Sequence, residues 1–210
     1  MTRALIADDH EILRRGVRDI LTDRLGKLVV AEAKDAGEAI DLLIEREWDL
    51  VLLDINLPGR SGLEVLEEAK RLRPKVPVLV LTIYPEEQFA LRAFKLGAAG
   101  YVTKQSASDE LITAVKRVLA GGKYVTASLA ERLASSLGAA GEQAPHEALS
   151  HRELQVLCLI AVGKSMKETA GELVLSEKTV AAYRARISVK TGLKTNVEIA
   201  RYALKQGLVD

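Results

Sequence analysis

The chain has 210 residues, 48% of them hydrophobic and 28% charged, the composition of an ordinary folded protein with apolar material for two modest cores. Its single cysteine, Cys158, excludes an intrachain disulfide and fits a reducing compartment. No run approaches the roughly 18 apolar residues of a membrane span, and MTRALIADDH lacks the form of a secretory signal, so the expectation is a cytoplasmic protein with no membrane role. The net charge of +1 divides unevenly: residues 1–120 carry 18 Lys+Arg against 20 Asp+Glu, and residues 121–210 carry 12 against 9.

In chain order, the first 120 residues alternate between two periodicities. Short Val/Ile/Leu-rich runs at 4–7, 29–33, 50–53, 78–81 and 100–103 predict buried strands. Between them, apolar residues recur at three-to-four spacing, as in Ile12/Val17/Ile20/Leu21, Ala39/Ile40/Leu43/Ile44 and Leu111/Ile112/Val115/Leu119, which predicts amphipathic helices. Five strands alternating with five helices imply an α/β fold with a doubly wound, five-stranded parallel sheet. Gly121-Gly122 closes the fifth helix, 126–137 forms a further short amphipathic stretch, and GAAGEQAPHEA (138–148) reads as a flexible linker. From Ser150 onward the pattern is all-α, with four helices predicted over 151–162, 166–173, 177–191 and 195–206. Ser150 with Glu153 forms a capping box, and Ser176 is placed to cap the third of these helices. The expected organisation is a domain over 1–121, a linker with a short helix over 122–148, and a second domain over 149–210.

Chemistry in a parallel sheet of this kind gathers at the carboxyl ends of the strands. Asp8 and Asp9 follow the first strand, Asp54 the third, Thr82 ends the fourth and Lys104 follows the fifth. Three carboxylates on one rim repel one another unless neutralised, and hard oxygen donors favour Mg²⁺ or Mn²⁺. A carboxylate beside a metal and a lysine can attack a phosphoryl group, with both cations offsetting charge on the transferring oxygens. The Thr82 hydroxyl is placed to bond the attached group. Any one of these residues alone is unremarkable at a strand end; their joint register carries the reading. His10 reads more readily as a helix-start residue than as a ligand.

The DD pair 8–9, LLDINLPGRSG around Asp54, the LT pair 81–82 and GYVTK at 100–104 resemble a response-regulator receiver domain, a flavodoxin-like fold, across residues 3–120. The resemblance implies that Asp54 is the phosphoacceptor. It also implies that Asp9, Asp54 and the backbone carbonyl of Asn56 ligate the metal, with Asp8 acting largely through water. Thr82 and Tyr101 would be the switch pair, Thr82 moving toward the phosphoryl group and Tyr101 turning inward, while Pro58 and Gly62 shape the loop after Asp54. Many receivers place a proline after the lysine; here Gln105 follows Lys104, which implies either a trans peptide with a somewhat different loop or strain held by the fold.

In the second domain, VLS (174–176) joins two helices as a helix-turn-helix whose second member can enter the major groove. Val180, Tyr183 and Ile187 keep its core face. The segment 176–205 concentrates Lys178, Arg184, Arg186, Lys190, Lys194, Arg201 and Lys205 against Glu177 and Glu198, a charge that suits nucleic acid but also a plain solvated face. The stretch 149–207 resembles the LuxR-type DNA-binding domain through Leu149-Ser150-x-Arg152-Glu153, Gly163, Lys167-Glu168-x-Ala170 and Leu175-Ser176-x-x-Thr179-Val180, continued by Ile187, Lys190, Gly192 and Leu193. A receiver followed by this domain resembles the NarL/FixJ type of two-component transcription regulator.

That resemblance implies contacts to double-stranded promoter DNA from Lys178, Thr179, Ala181, Ala182, Arg184, Ala185, Arg186, Lys190 and Lys194. It further implies a sensor histidine kinase as partner and a homodimer on activation. Three alanines stand at outward positions where polar residues are common. Alanine offers no hydrogen bond to a base edge, so phosphate positioning is better supported than base readout. Three other readings stay open: a regulator of the same build switched without phosphate, an interaction domain in place of DNA binding, and an aspartate-nucleophile phosphatase. Against the last, position 56 is asparagine, which cannot act as a general acid or base. The chain is expected not to be an enzyme beyond slow self-dephosphorylation.

Overall fold

The computed structural model describes residues 2–106, 108–138 and 144–209, with side chains left undescribed over 135–138. The chain divides into two compact units, residues 1–132 and 133–210. In the first, strands β1 (Thr2–Ala7), β2 (Leu28–Ala33), β3 (Leu50–Leu53), β4 (Val78–Thr82) and β5 (Gly100–Thr103) form one parallel sheet in the order β2-β1-β3-β4-β5. The connections are helices α1 (Glu11–Leu25), α2 (Ala36–Glu45), α3 (Gly62–Leu72) and α4 (Glu86–Lys95), and α5 (Ser108–Leu119) follows β5. The five predicted strands are present, each within two residues of its expected ends.

Side chains alternate across a pleated strand, so each strand feeds two cores. Ala4, Ile6, Leu50, Leu52, Leu79, Leu81 and Val102 pack on one face with Val17 and Leu21 of α1 and Leu111, Val115 and Val118 of α5. The alternate residues Leu5, Val51, Leu53 and Val80 are equally buried and point to the other face. Burial on both faces explains why β3 and β4 read as unbroken apolar runs. Helix starts are set by side-chain caps: Asp35 accepts from the Glu38 N–H to open α2, and Ser61 with Glu64 forms a capping box at α3.

The order of strands decides where the site lies. β1 sits between β2 and β3, so the chain reverses its winding direction there and leaves a crevice at the carboxyl ends. Ala7 pairs with Leu53, and the Asp54 N–H donates to the Ala7 carbonyl at 2.9 Å. Asp8 and Asp54, one residue further on, therefore leave the sheet side by side. After α5 the chain forms a single bridge between Tyr124 and Gly100, then helix α6 (Ala127–Gly138).

In the second unit, a 3-10 turn (Pro145–Ala148) leads into α7 (His151–Ala161), α8 (Met166–Glu172), α9 (Glu177–Thr191) and α10 (Asn196–Lys205). Of the linker expected at 138–148, residues 139–143 lie outside the described residues, and the end of the stretch is that 3-10 turn. The caps foreseen at Ser150 and Ser176 are present, and Ser165/Glu168 and Thr195/Glu198 add two more capping boxes. α9 packs against α7 and α8 through fully buried Val180 and Ile187 and stops at Gly192, which is left-handed at φ 76°. The turn between α8 and α9 holds Val174 at φ 54°. A left-handed conformation costs a β-branched residue roughly 1–2 kcal/mol, which the flanking helices must hold in place.

Gly62 opens α3 directly beneath the acidic loop: a Cβ there would lie 1.9 Å from the Asp54 carbonyl oxygen. Gly62→Ala is expected to destabilise the protein by about 1–3 kcal/mol, the usual range for overpacking, read from the midpoint of urea unfolding.

Candidate functional site

The site is built from loop residues one step beyond the strands, which lets buried backbone position charged side chains. Asp8 and Asp54 are each 2% exposed, and Thr82 is fully buried. Lys104 reaches over from the end of β5, where its backbone N–H donates to the Thr82 carbonyl at 2.7 Å. Its Nζ lies 2.6 Å from an oxygen of Asp8 and 2.6 Å from an oxygen of Asp54. The other Asp54 oxygen accepts from the Asn56 N–H at 3.2 Å. The Lys104–Gln105 peptide is trans; a Thr103 Oγ1–Ser106 Oγ contact at 3.1 Å closes the loop that proline shapes in many receivers.

Burial raises the Asp54 carboxyl above the ordinary carboxylate range; the Asp8 charge pushes the same way, and Lys104 opposes without overcoming them. Burial alone would lower the Lys104 ammonium, but the two carboxylates outweigh it and hold its pKa up. The pocket thus keeps a positive group where negative charge collects. The Thr82 hydroxyl, buried beside it, has no hydrogen-bond partner of good geometry among the described residues. A buried hydroxyl without a partner is unfavourable, and it fits a site whose ligand brings oxygen acceptors.

Donor atoms of Asp8, Asp9, His10 and Asp54 all lie within 4.8 Å of one another. Clustered carboxylate oxygens form a donor set suited to a hard divalent cation, so these residues fit the metal that the sequence implies. His10 joins the cluster as well as beginning α1: its Nδ1 lies 3.1 Å from Asp8 and 2.8 Å from Asp9. Arg14 is a further site residue. Its guanidinium donates to the Asp8 carbonyl at 2.5 Å and pairs with Glu32 on β2 at 3.1 Å, fixing the turn that carries both acids. The adjacency of His10 to Asp9 was a visible signal; nothing in the sequence connects Arg14 with Glu32.

Tyr101 is 1% exposed, its hydroxyl donating to the Tyr84 carbonyl at 2.9 Å, and burial pushes its phenol well above the usual value. The ring is packed inward in this structure.

On α9, Lys178, Ala181, Ala182, Ala185 and Arg186 are exposed, Thr179 is half-buried beside the cap, and Lys194 is exposed just beyond the helix. Arg186 lies over the Tyr183 ring at 5.5 Å. Two residues of the expected set are engaged inside the domain. Lys190 pairs at 2.7 Å with Glu153, whose side chain is 3% exposed. Arg184 donates to the carbonyls of Leu193 and Lys194 at 3.3 and 2.7 Å, closing the turn into α10. Although burial opposes it, Lys190 and the Ser150 N–H hold the Glu153 carboxyl below its ordinary value. Charge counting along the sequence cannot separate such internal pairs from a free basic face.

Comparison with known proteins agrees with this geometry. The family described as response regulator receiver domain matches residues 4–116, and bacterial regulatory proteins, luxR family, matches residues 147–203. The response regulator GacA of Pseudomonas aeruginosa is 36% identical over 211 aligned residues, covering 100% of this chain and 99% of its own. RcsB of Salmonella enterica serovar Typhimurium, solved bound to promoter rprA in the presence of the phosphomimetic BeF3-, matches with a TM-score of 0.62 at 26% identity, covering 96% of this chain and 97% of that one. A structure of two RcsB dimers bound to two parallel DNAs matches with a TM-score of 0.59 at 26% identity, covering 100% and 99%. A receiver fold with an acidic rim, joined to a helix-turn-helix domain, defines a phosphorylation-regulated transcription regulator. The chain belongs to the two-component response regulators of the NarL/FixJ type.

Because the Asp54 pKa is raised in the fold, its contribution to stability is present at low pH and lost as pH rises through the folded value. Asp54→Asn is expected to be more stable than wild type in chelator at neutral pH, with the gap narrowing toward pH 4 in urea titrations. Lys190→Met leaves the Glu153 carboxylate unpaired. It should lower the stability of the second domain by about 2 kcal/mol, a buried-pair cost reduced because the lysine end is partly solvated, as read by thermal unfolding at pH 7.

Proposed function

We propose that Asp54 is the phosphoacceptor, and that its phosphorylation controls binding of promoter DNA by the residues 149–210. The observation that carries this reading is the Lys104 Nζ held 2.6 Å from both Asp8 and Asp54. An Asp54 oxygen attacks the phosphorus of a phosphohistidine on a sensor kinase, or of a small phosphodonor. The P–N bond breaks, the histidine nitrogen takes a proton from solvent, and an acyl phosphate remains on Asp54. Mg²⁺, or Mn²⁺ in its place, held by Asp8, Asp9, Asp54 and the Asn56 carbonyl, supplies positive charge to the phosphoryl oxygens when bound. Lys104 pairs with a phosphoryl oxygen from the opposite side, and the Thr82 hydroxyl turns to another, satisfying an atom that otherwise lacks a partner. Tyr101 remains packed inward behind it. Slow hydrolysis of the acyl phosphate ends the signal; no external substrate is turned over.

The domains proposed are a receiver over 1–121, a connecting segment over 122–148 and the DNA-binding domain over 149–210. α9 enters the major groove, with Lys178, Thr179, Arg186 and Lys194 on phosphates and Ala181, Ala182 and Ala185 against base edges. Arg184 and Lys190 support that surface from within. Three alanines offer thymine methyl contact and no base hydrogen bond, so sequence preference is modest and depends on DNA shape and on the spacing of two half-sites. RcsB is seen as dimers on DNA in one of the structures matched, and a two-fold dimer formed on phosphorylation is the form proposed here. The protein works in the cytoplasm, where kinase, Mg²⁺ and promoter meet. No helix of the described residues is long and apolar enough to cross a membrane.

The test is phosphotransfer from a kinase or small phosphodonor to wild type and Asp54→Asn, followed by DNA binding across a salt series. Wild type is expected to take up one hydroxylamine-labile phosphoryl group and bind DNA more tightly; Asp54→Asn should do neither. Lys178→Ala should weaken binding across sequences alike and lower the salt slope by about 1. Equal DNA affinity of wild type with and without phosphoryl transfer would exclude the switch.

A further inference from the structure

The segment after α5 is tied to both elements that sit behind the phosphoryl pocket. Tyr124 donates its N–H to the Ala99 carbonyl at 2.8 Å and bridges Gly100, next to Tyr101 on β5. The approach requires glycine: a Cβ on Gly100 would lie 3.0 Å from the Tyr124 Cβ and 2.7 Å from Leu79. The Tyr124 hydroxyl donates to Glu110 on α5 at 3.0 Å. Two residues later, the Thr126 hydroxyl does two things at once. It donates to the Glu86 carboxylate in the first turn of α4 at 2.7 Å, and it accepts from the Leu129 N–H at 3.2 Å, capping α6. Further along α6, Leu129 is 1% exposed, and Arg132 donates to the Glu87 carbonyl at 3.0 Å. Burial holds the Glu86 carboxyl above its ordinary value, so this contact is partly shielded from water.

Glu86 also sits at the end of the loop that the switch residues control. Thr82 begins it, and the Tyr101 hydroxyl holds it at the Tyr84 carbonyl, with a longer contact of 3.5 Å to the Pro85 carbonyl. The Tyr84 ring packs tilted at 59° against Phe89 of α4, with ring centroids 4.9 Å apart. Between the Thr82 hydroxyl and the Thr126 hydroxyl there is only this loop and one carboxylate.

We propose that Thr126 and Glu86 form a latch that reads the loop between β4 and α4 and holds the start of α6, so that phosphorylation opens it. The proposal rests on Asp54 being the phosphoacceptor. When Thr82 turns toward the phosphoryl group it draws residues 83–86 with it, because Tyr101 and Phe89 keep the loop from deforming locally. A 2.7 Å hydrogen bond does not survive a displacement of about 1 Å. Tyr124 stays in place through its backbone bonds and acts as the pivot. α6 loses the orientation of its cap and its hold on α4, and its first turn frays. The chain that leads to the DNA-binding domain is thereby lengthened and loosened without any contact between Asp54 and that domain.

The test is hydrogen exchange on the full chain, with and without beryllofluoride and Mg²⁺ as the phosphoryl mimic, in wild type, Thr126→Val and Thr126→Ser. In wild type the mimic should speed exchange of the 127–131 amides about fivefold, the size expected for loss of one helix cap. Thr126→Val should exchange at the faster rate in both conditions while still taking a phosphoryl group on Asp54, and Thr126→Ser should behave as wild type. Unchanged exchange at 127–131 in wild type, with DNA affinity still responding to phosphorylation, would overturn the latch and leave the phosphoacceptor assignment intact. Absence of phosphoryl uptake by wild type would take both down together.

Discussion

Two buried carboxylates facing one lysine are the constraint on which the receiver depends. Asp8 and Asp54 leave adjacent strands in matched register, so their separation is set by the sheet and cannot relax. In a dry environment their repulsion keeps one of them from ionising unless a cation stands between. Lys104 supplies it from β5, two strands from β3 and three from β1, and its backbone bond to Thr82 fixes the stem from which it reaches. The pocket is therefore held together by the same charge balance that a phosphoryl group and a divalent cation would alter. A site whose resting stability rests on electrostatic compensation is one that added charge can rearrange.

That rearrangement has a short route outward. Thr82, the Tyr84 carbonyl and Tyr101 lie behind the acid pocket, and Glu86, two residues after Tyr84, has its carboxylate bonded to Thr126 on another segment. The rest of the sheet is packed on both faces by Leu, Ile and Val, and packed cores shift between discrete arrangements in preference to deforming smoothly. Motion is directed instead to the polar loop between β4 and α4, where hydrogen bonds can exchange partners.

At the other end of the chain, positive charge has two separate uses. Lys190 and Arg184 hold α9 to α7 and to the turn before α10, which is what gives the recognition helix a defined direction. Lys178, Arg186 and Lys194 remain on the surface beside three alanines. In the proposed DNA complex, a helix of that kind grips phosphates more than it reads bases, leaving promoter selection to paired half-sites and DNA shape.

The elements were legible in the sequence, and so was the shared strand-end placement of Asp8, Asp9, Asp54, Thr82 and Lys104. Apolar periodicity specifies strands and helices locally, and in a parallel sheet the residue after each strand must reach the same rim whatever else the fold does. Capping side chains at Ser150 and Ser176 were legible for the same reason, since they act within three residues. The tertiary structure alone decided which charges are free. Arg14 meets Glu32, Lys190 meets Glu153 and Thr126 meets Glu86 across separations of 18, 37 and 40 residues. Each pair depends on how helices and strands pack, and a long polar side chain carries no periodic signal of the partner it will find. What packing added is that Lys104 pairs with both buried acids and that Lys190 and Arg184 are tied to partners within their own domain, because a buried carboxylate such as Glu153 needs a cation beside it.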